Sequence, residues 1–367
     1  MGEQPAPPKN RLTYAVISNL EAMVNGAERL FRRLGHRYMR KRLQPTIDKV
    51  SAILSNTTPE APDYISKVMQ VARLYANVQP IEAEVNTEDK RLEAIAASDE
   101  ACIFVINHDH QAEDPVLLSM TAVLLYNAYA KLDKLALCPR PGVILNEDII
   151  QTSPPEQQAL WHKMGVIGVD ASVFPSKKGV SKNTRAFMRV LPNFCQDKQH
   201  LFIFPEGRLS AFKGLALRQK FQTGVADIVR ASLKRKERVK IVPLGFAYGK
   251  KTKQRLGSIY VGEPVIFTRQ GENTLVSVGN ITPKNASAPY QQFFWPGDDF
   301  NPFITLAGSN TPFKVMTHQR KPIKNTDLSP FIADVLAENL TICRDLAQTQ
   351  LPAVSLKGSH PEKIGIY

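Results

Sequence analysis

"ACIFVINHDHQAEDP", residues 101–115, joins an uninterrupted apolar run to a polar loop and then to an Asp-Pro pair. An apolar run this short, with β-branched and aromatic side chains, predicts a strand buried on both faces, as in parallel sheets. Asp114-Pro115 predicts a helix start, because Asp caps exposed N–H groups and Pro suits the first helical position. In α/β folds, functional side chains gather beyond the C-terminal ends of the strands. His108 and Asp114 can therefore face one another across a short loop. An acid beside an imidazole fixes its tautomer and stabilises its protonated form, so the other nitrogen can take a proton from a hydroxyl. A plain surface loop, whose His and Asp only cap the helix, accounts for the same residues.

Outward from this stretch the pattern repeats. Short apolar runs recur at "GVIL" (142–145), "GVIGV" (165–169), "LFIF" (201–204), "VKIVPLGF" (239–246) and "IYVG" (259–262). Helix-like segments separate most of them, at 115–131, 155–163, 182–196 and 219–236. Such alternation predicts an α/β fold, a largely parallel sheet flanked by helices. Upstream, Leu12, Val16, Leu20, Met23, Ala27, Leu30 and Leu34 recur at helical spacing, and two more helical stretches follow at about 45–55 and 62–78. Residues 1–98 therefore read as an N-terminal helical unit and 99–367 as the α/β domain. Within the latter, 268–326 is rich in Gly, Pro, Asn and Thr and reads as an irregular insertion, with a last helix at about 328–348.

Composition limits the partners. The 367 residues carry a formal net charge of +13, which implies an anionic partner. No nucleic-acid module signature is visible. Seven Lys or Arg fall between Arg29 and Arg42 with no acid among them, either a solvated helix face or a contact with an anionic membrane surface. The four cysteines are scattered, which fits a reducing compartment and argues against a disulfide framework or a zinc site. No secretory signal and no apolar run long enough to span a bilayer is visible, so the expected location is cytoplasmic, peripheral to the inner face of the membrane.

A second constellation, "FIFPEGRLS" (202–210), again follows an apolar run and breaks at Pro205 and Gly207, leaving Glu206 and Arg208 to project. Arginine suits a phosphate because its planar fork donates in pairs; an ordinary solvated turn accounts for the same residues. Together the two constellations resemble the glycerolipid acyltransferases, the glycerol-3-phosphate and 1-acylglycerol-3-phosphate enzymes. Their first block, a histidine, four residues and an aspartate, is similar to "NHDHQAEDP"; their third to "FPEGRLS"; their fourth, a Val-Pro strand, to "IVPLGF" (241–246). Their second is similar to "MGVIGVD" (164–170), and "FQTGVADIV" (221–229) and "YVGEPV" (260–265) follow in family order.

There are departures. Five residues separate His108 from Asp114 where the family has four. Asn107 and Pro115 flank the pair as in the family, which favours Asp114; four-residue spacing selects Glu113 instead, and His110 is a lesser alternative to His108. Ala171 stands where the second block has arginine, and Arg185 or Lys182 of "SKNTRAFM" is a candidate replacement.

The resemblance implies direct acyl transfer from an acyl carrier protein (acyl-ACP) or coenzyme A (acyl-CoA) thioester to glycerol-3-phosphate or lysophosphatidate, with no cofactor and no metal. His108 is the implied base and Asp114 or Glu113 its partner. Glu206 and Gly207 would shape the glycerol pocket, with Arg208 on the phosphate and Lys213 a further candidate there. Two other readings stay open: an inactive acyltransferase-like protein that binds membrane lipid or carrier, and an acyltransferase for a non-phosphate acceptor.

Overall fold

The structure, a computed structural model, describes residues 44–278 apart from 86–90, 109–113, 171–176, 206–223 and a few shorter gaps, and beyond them short pieces between 303 and 351. The helix expected at 12–34 and its basic extension lie outside the described residues. Residues 44–46 and 48–54 are helical, followed by α1 (Tyr64–Val78), β1 (Ile81–Val85) and α2 (Arg91–Ala97). Then come β2 (Cys102–Ile106), α3 (Asp114–Lys131), β3 (Arg140–Asn146), α4 (Glu147–Thr152), α5 (Pro155–Lys163) and β4 (Val166–Val169). The chain continues through α6 (Lys177–Cys195), β5 (Gln199–Ile203), α7 (Gly224–Leu233), β6 (Arg238–Lys251), β7 (Gln254–Val261), β8 (Val265–Gln270) and β9 (Asn273–Val278). The short strands β10 (Phe303–Thr305) and β11 (Pro312–Lys314) form a separate pair, and β12 (Ile323–Lys324) joins β9.

The fold is α/β. One ten-stranded mixed sheet runs β12-β9-β8-β6-β2-β5-β3-β4, with β7 on β6 and β1 on β7. The run β6-β2-β5-β3-β4 is parallel throughout. All five residues of β2 are buried, as an apolar run without alternation requires. Its side chains divide between two layers by the period of two. Ile103 and Val105, with Leu201 and Ile203 of β5, pack under Val190 and Phe194 of α6 and Val225, Ile228 and Val229 of α7. Phe104 and Ile106, with Phe202, face the opposite layer, against Val68 of α1, Ile95 of α2 and Leu117, Leu125 and Tyr129 of α3.

Several elements are absent from the periodicity reading, β1 and the β8–β9 hairpin among them. β1, "IEAEV", pairs in parallel with β7, Ile81 opposite Arg255 through Val85 opposite Ile259. Its alternating glutamates conceal it in a region that otherwise reads as helical. The second is the β8–β9 hairpin, paired from Val265↔Val278 to Gln270↔Asn273, so regular structure reaches Val278 inside the stretch read as irregular from 268. Its turn passes through Gly271 at φ +60°, where a side chain is strained. Helical positions recur between 332 and 348. There the backbone of Cys343 packs on Gly245 of β6 so closely that a Cβ would collide with it.

Lys163, the last residue of α5, donates its ammonium to the carbonyls of Leu54 and Ser55 at 2.9 and 3.2 Å. A cation there satisfies carbonyls that a helix end leaves unpaired. The Tyr64 hydroxyl donates to the Lys163 carbonyl at 2.9 Å, tying α1 to the same corner.

Candidate active site

Parallel strands carry their C-terminal ends to one edge, and the segments after β2, β5, β3 and β4 all leave from it. The register sets Val105 beside Ile203, so the chain after β2 emerges next to the chain after β5. His108 is half-buried there, its ring 4.8 Å from that of Phe204, tilted at 43°. Phe204 is also the residue that opens "FPEG". The two constellations far apart in sequence therefore meet at the ends of adjacent strands.

Asn107 lies one residue earlier and is 2% exposed. The Phe246 N–H of β6 donates to its Oδ1 at 2.6 Å, and its Nδ2 donates to the Phe246 carbonyl at 2.9 Å. The histidine thus stands between two neighbours of β2, held to β6 through Asn107 and resting on β5 through Phe204. Asp114 is the first residue of α3, in agreement with the Asp-Pro start. Its side chain, together with Glu113 and His110, lies outside the described residues, as do Glu206, Gly207, Arg208 and Lys213.

The end of β4 is fixed in a similar way. Asn183 of α6 accepts from the Asp170 N–H at 2.6 Å and donates to the Asp170 carbonyl at 2.8 Å. α6 bears five cations (Lys177, Lys178, Lys182, Arg185, Arg189) and no acid, so an acid-free basic helix borders the edge. Arg185 is exposed and stands two positions from Asn183, about 200° around a helix of 3.6 residues per turn. It therefore occupies the outer face. Lys182 lies in the same helix, its side chain outside the described residues.

Asn183 and the Asn107 clamp escaped the sequence reading, which weighed the cations of "SKNTRAFM" and took Asn107 only as a flank. An asparagine beside a strand end was the available signal. Among the described residues no group of three His, Cys, Asp or Glu side chains is arranged to hold a metal. The cysteines are free, and burial pushes the Cys102 thiol up to about 12, so it stays protonated.

Comparison with known families matches residues 84–247 to the model described as Acyltransferase. No curated protein matches the chain. The matched span begins in β1 and ends in β6, and so contains His108, Phe204 and Phe246 with the strands that bring them together. This domain belongs to the glycerolipid acyltransferase family that the blocks resemble, and the chain is an acyltransferase.

Proposed function

We propose that the enzyme transfers a fatty acyl group from acyl-ACP or acyl-CoA to a hydroxyl of glycerol-3-phosphate or 1-acylglycerol-3-phosphate, with His108 as general base. The observation that carries this reading is the half-buried His108 ring against Phe204, at the meeting of the histidine and "FPEG" segments. His108 takes the proton of the acceptor hydroxyl as its oxygen attacks the thioester carbonyl. The tetrahedral intermediate collapses to the ester, and the departing sulfur recovers the proton from the imidazolium. Asp114, at the head of α3, charge-balances the imidazolium, with Glu113 the alternative at the family's usual spacing. The thioester is already activated, so base and alignment are what the protein must add.

Acceptor recognition falls to the segment after Phe204. Glu206 and Gly207 shape the glycerol pocket and Arg208 grips the phosphate in pairs, with Lys213 as a further cation. α6 adds positive potential at the same edge, with Lys182 ahead of the outward-facing Arg185. Among the described residues no helix is long and apolar enough to cross a membrane. The product is a lipid, so the enzyme meets an anionic bilayer from the cytoplasmic side, through residues 12–42.

The test is thiol release by the purified protein from acyl-CoA or acyl-ACP. Release that depends on glycerol-3-phosphate or lysophosphatidate, and not on glycerol, is expected. Equal release with unphosphorylated acceptors overturns the phosphate assignment.

A further inference from the structure

We propose that Asn107 is a positioning residue for the reaction, a buried amide that extends the β2–β6 ladder by one unit and so fixes where His108 stands. The inference rests on the reading of His108 as the base.

β2 and β6 pair from Cys102↔Lys240 to Ile106↔Leu244, and there the backbone ladder ends. β6 runs on to Lys251 with β7 as its outer partner, Phe246 opposite Ile259. On the inner side the next unit is supplied by a side chain. The Asn107 amide accepts from the Phe246 N–H at 2.6 Å and donates to the Phe246 carbonyl at 2.9 Å, as a peptide group would. Phe246 is fully buried and Asn107 2% exposed, so water is a poor substitute for either bond.

The chemistry selects asparagine. A carboxamide offers one acceptor and donors in one plane. Aspartate keeps the acceptor, but sets a negative oxygen against the Phe246 carbonyl. Alanine leaves both Phe246 groups without partners. His108 follows directly, and its ring rests on Phe204 from the strand on the other side. A shift of the chain after β2 relative to β6 is therefore transmitted to the imidazole. Misplacement of a reacting group by about 1 Å costs on the order of 10²-fold in rate.

The test compares Asn107→Ala, Asn107→Asp, His108→Ala and the double variant His108→Ala/Asn107→Ala. Val276→Ala, at a buried position of β9 three strands away from β2, controls for lost stability. Rates are taken per folded protein, at a temperature below every melting midpoint. Asn107→Ala should lower kcat roughly 10–100-fold with both KM values within about twofold, as misplacement of a base predicts. In the His108→Ala background the same change should lower the residual rate by less than about twofold, because a residue acting through the imidazole loses its effect once the imidazole is gone. Should Asn107→Ala fail to fold, the near-isosteric Asn107→Asp carries the comparison, with the same loss of kcat expected. An effect on kcat no larger than that of Val276→Ala, or a loss fully additive with His108→Ala, overturns the proposal. Wild-type rates in His108→Ala itself instead overturn the assignment of the base.

Discussion

Two histidines mark the two ends of one strand pair, and they live under opposite rules. His200 sits near the start of β5, fully buried. Its Nδ1 accepts from the Cys102 N–H at 3.0 Å, and its Nε2 lies 3.3 Å from the Tyr129 hydroxyl. Burial pushes its pKa down to about 3, against the opposing effect of the Cys102 hydrogen bond. It is a neutral core group, with the Phe104 ring edge-on at 5.4 Å. His108 stands at the other end of the pair, half-buried, where strands give way to loops. The difference teaches that position along the strand, not residue type, decides what a histidine can do here.

The same contrast extends along the two edges. At the edge where the parallel strands start, charges are paired off. Lys240 meets Glu100 at 2.6 Å and Lys236 meets Asp197 at 2.7 Å, while Asp197 also accepts from the Ala101 N–H at 2.8 Å. At the opposite edge, the side-chain amides of Asn107 and Asn183 hold the backbone in place.

The sharpest way to break the comparison is to remove each imidazole. On the proposed reading, His108→Ala lowers turnover by roughly 10²–10⁴ at an unchanged melting point, as loss of a general base does. His200→Ala should do the reverse, lowering the melting point while the folded enzyme keeps its rate. Steady-state thiol release beside thermal denaturation measures both. A large rate loss in His200→Ala at full folding would erase the distinction between the two ends.

The next effect concerns the partner of the base. Asp114→Asn should lower kcat roughly 10–100-fold and Glu113→Gln by much less, since only the true partner stabilises the imidazolium. Asp114 also opens α3, so a melting shift of about 1 kcal/mol from the lost cap accompanies it and must be measured separately. The reverse order of rate losses would assign the partnership to Glu113 and the family's four-residue spacing.

A third experiment uses pH. The folded pKa of His200, about 3, lies below its unfolded value near 6.5. Between those values the unfolded chain binds a proton that the folded chain refuses, so this contribution is fully present above pH 6.5 and fades as pH falls. Going from pH 7.5 to 5 crosses about 1.5 units of that window, which amounts to about 2 kcal/mol. Denaturant titrations should show His200→Gln losing that much less than wild type over the same interval. Identical pH dependence would mean that the ring is protonated in the folded state.

How far the sequence reveals this depends on what kind of force holds each element. β2 and β5 are legible because strands buried on both faces must be apolar throughout, and "ACIFVI" and "LFIF" have no other use. The helix over Asp114–Lys131 is legible from its Asp-Pro start. β1 is not, because "IEAEV" gains its place from β7, whose paired residues lie about 170 positions downstream. The β8–β9 hairpin escapes for a related reason, since polar residues such as Arg269, Gln270 and Asn273 interrupt its apolar ones. At the site, His108 and the "FPEG" segment are recognisable as residue types in sequence. The Asn107–Phe246 clamp joins residues 139 apart, and spacing along the chain cannot express it.

The smallest prediction concerns the exposed charges that neither end depends on. Lys131, at the last turn of α3, meets Glu93 of α2 at 3.0 Å, but the lysine side chain is 69% exposed and the glutamate 37%. Water screens such a pair, and holding two long side chains together costs rotamer entropy, so exposed pairs contribute roughly 0.2–1 kcal/mol. The lysine also lies near a helix C-terminus, where a cation adds a few tenths more. Lys131→Ala should therefore lower stability by under about 1 kcal/mol, less in 1 M salt than in 0.1 M as the Debye length shrinks from about 10 to 3 Å. Catalysis should be untouched, because α3 carries its candidate catalytic acid at the opposite end, at Asp114. Chemical denaturation at the two salt concentrations, with a rate measured alongside, checks all three statements. A loss well above 1 kcal/mol that salt leaves unchanged would show that the pair anchors α2 to α3, and would place Lys131 with the buried Lys240 among the groups that hold this end of the molecule together.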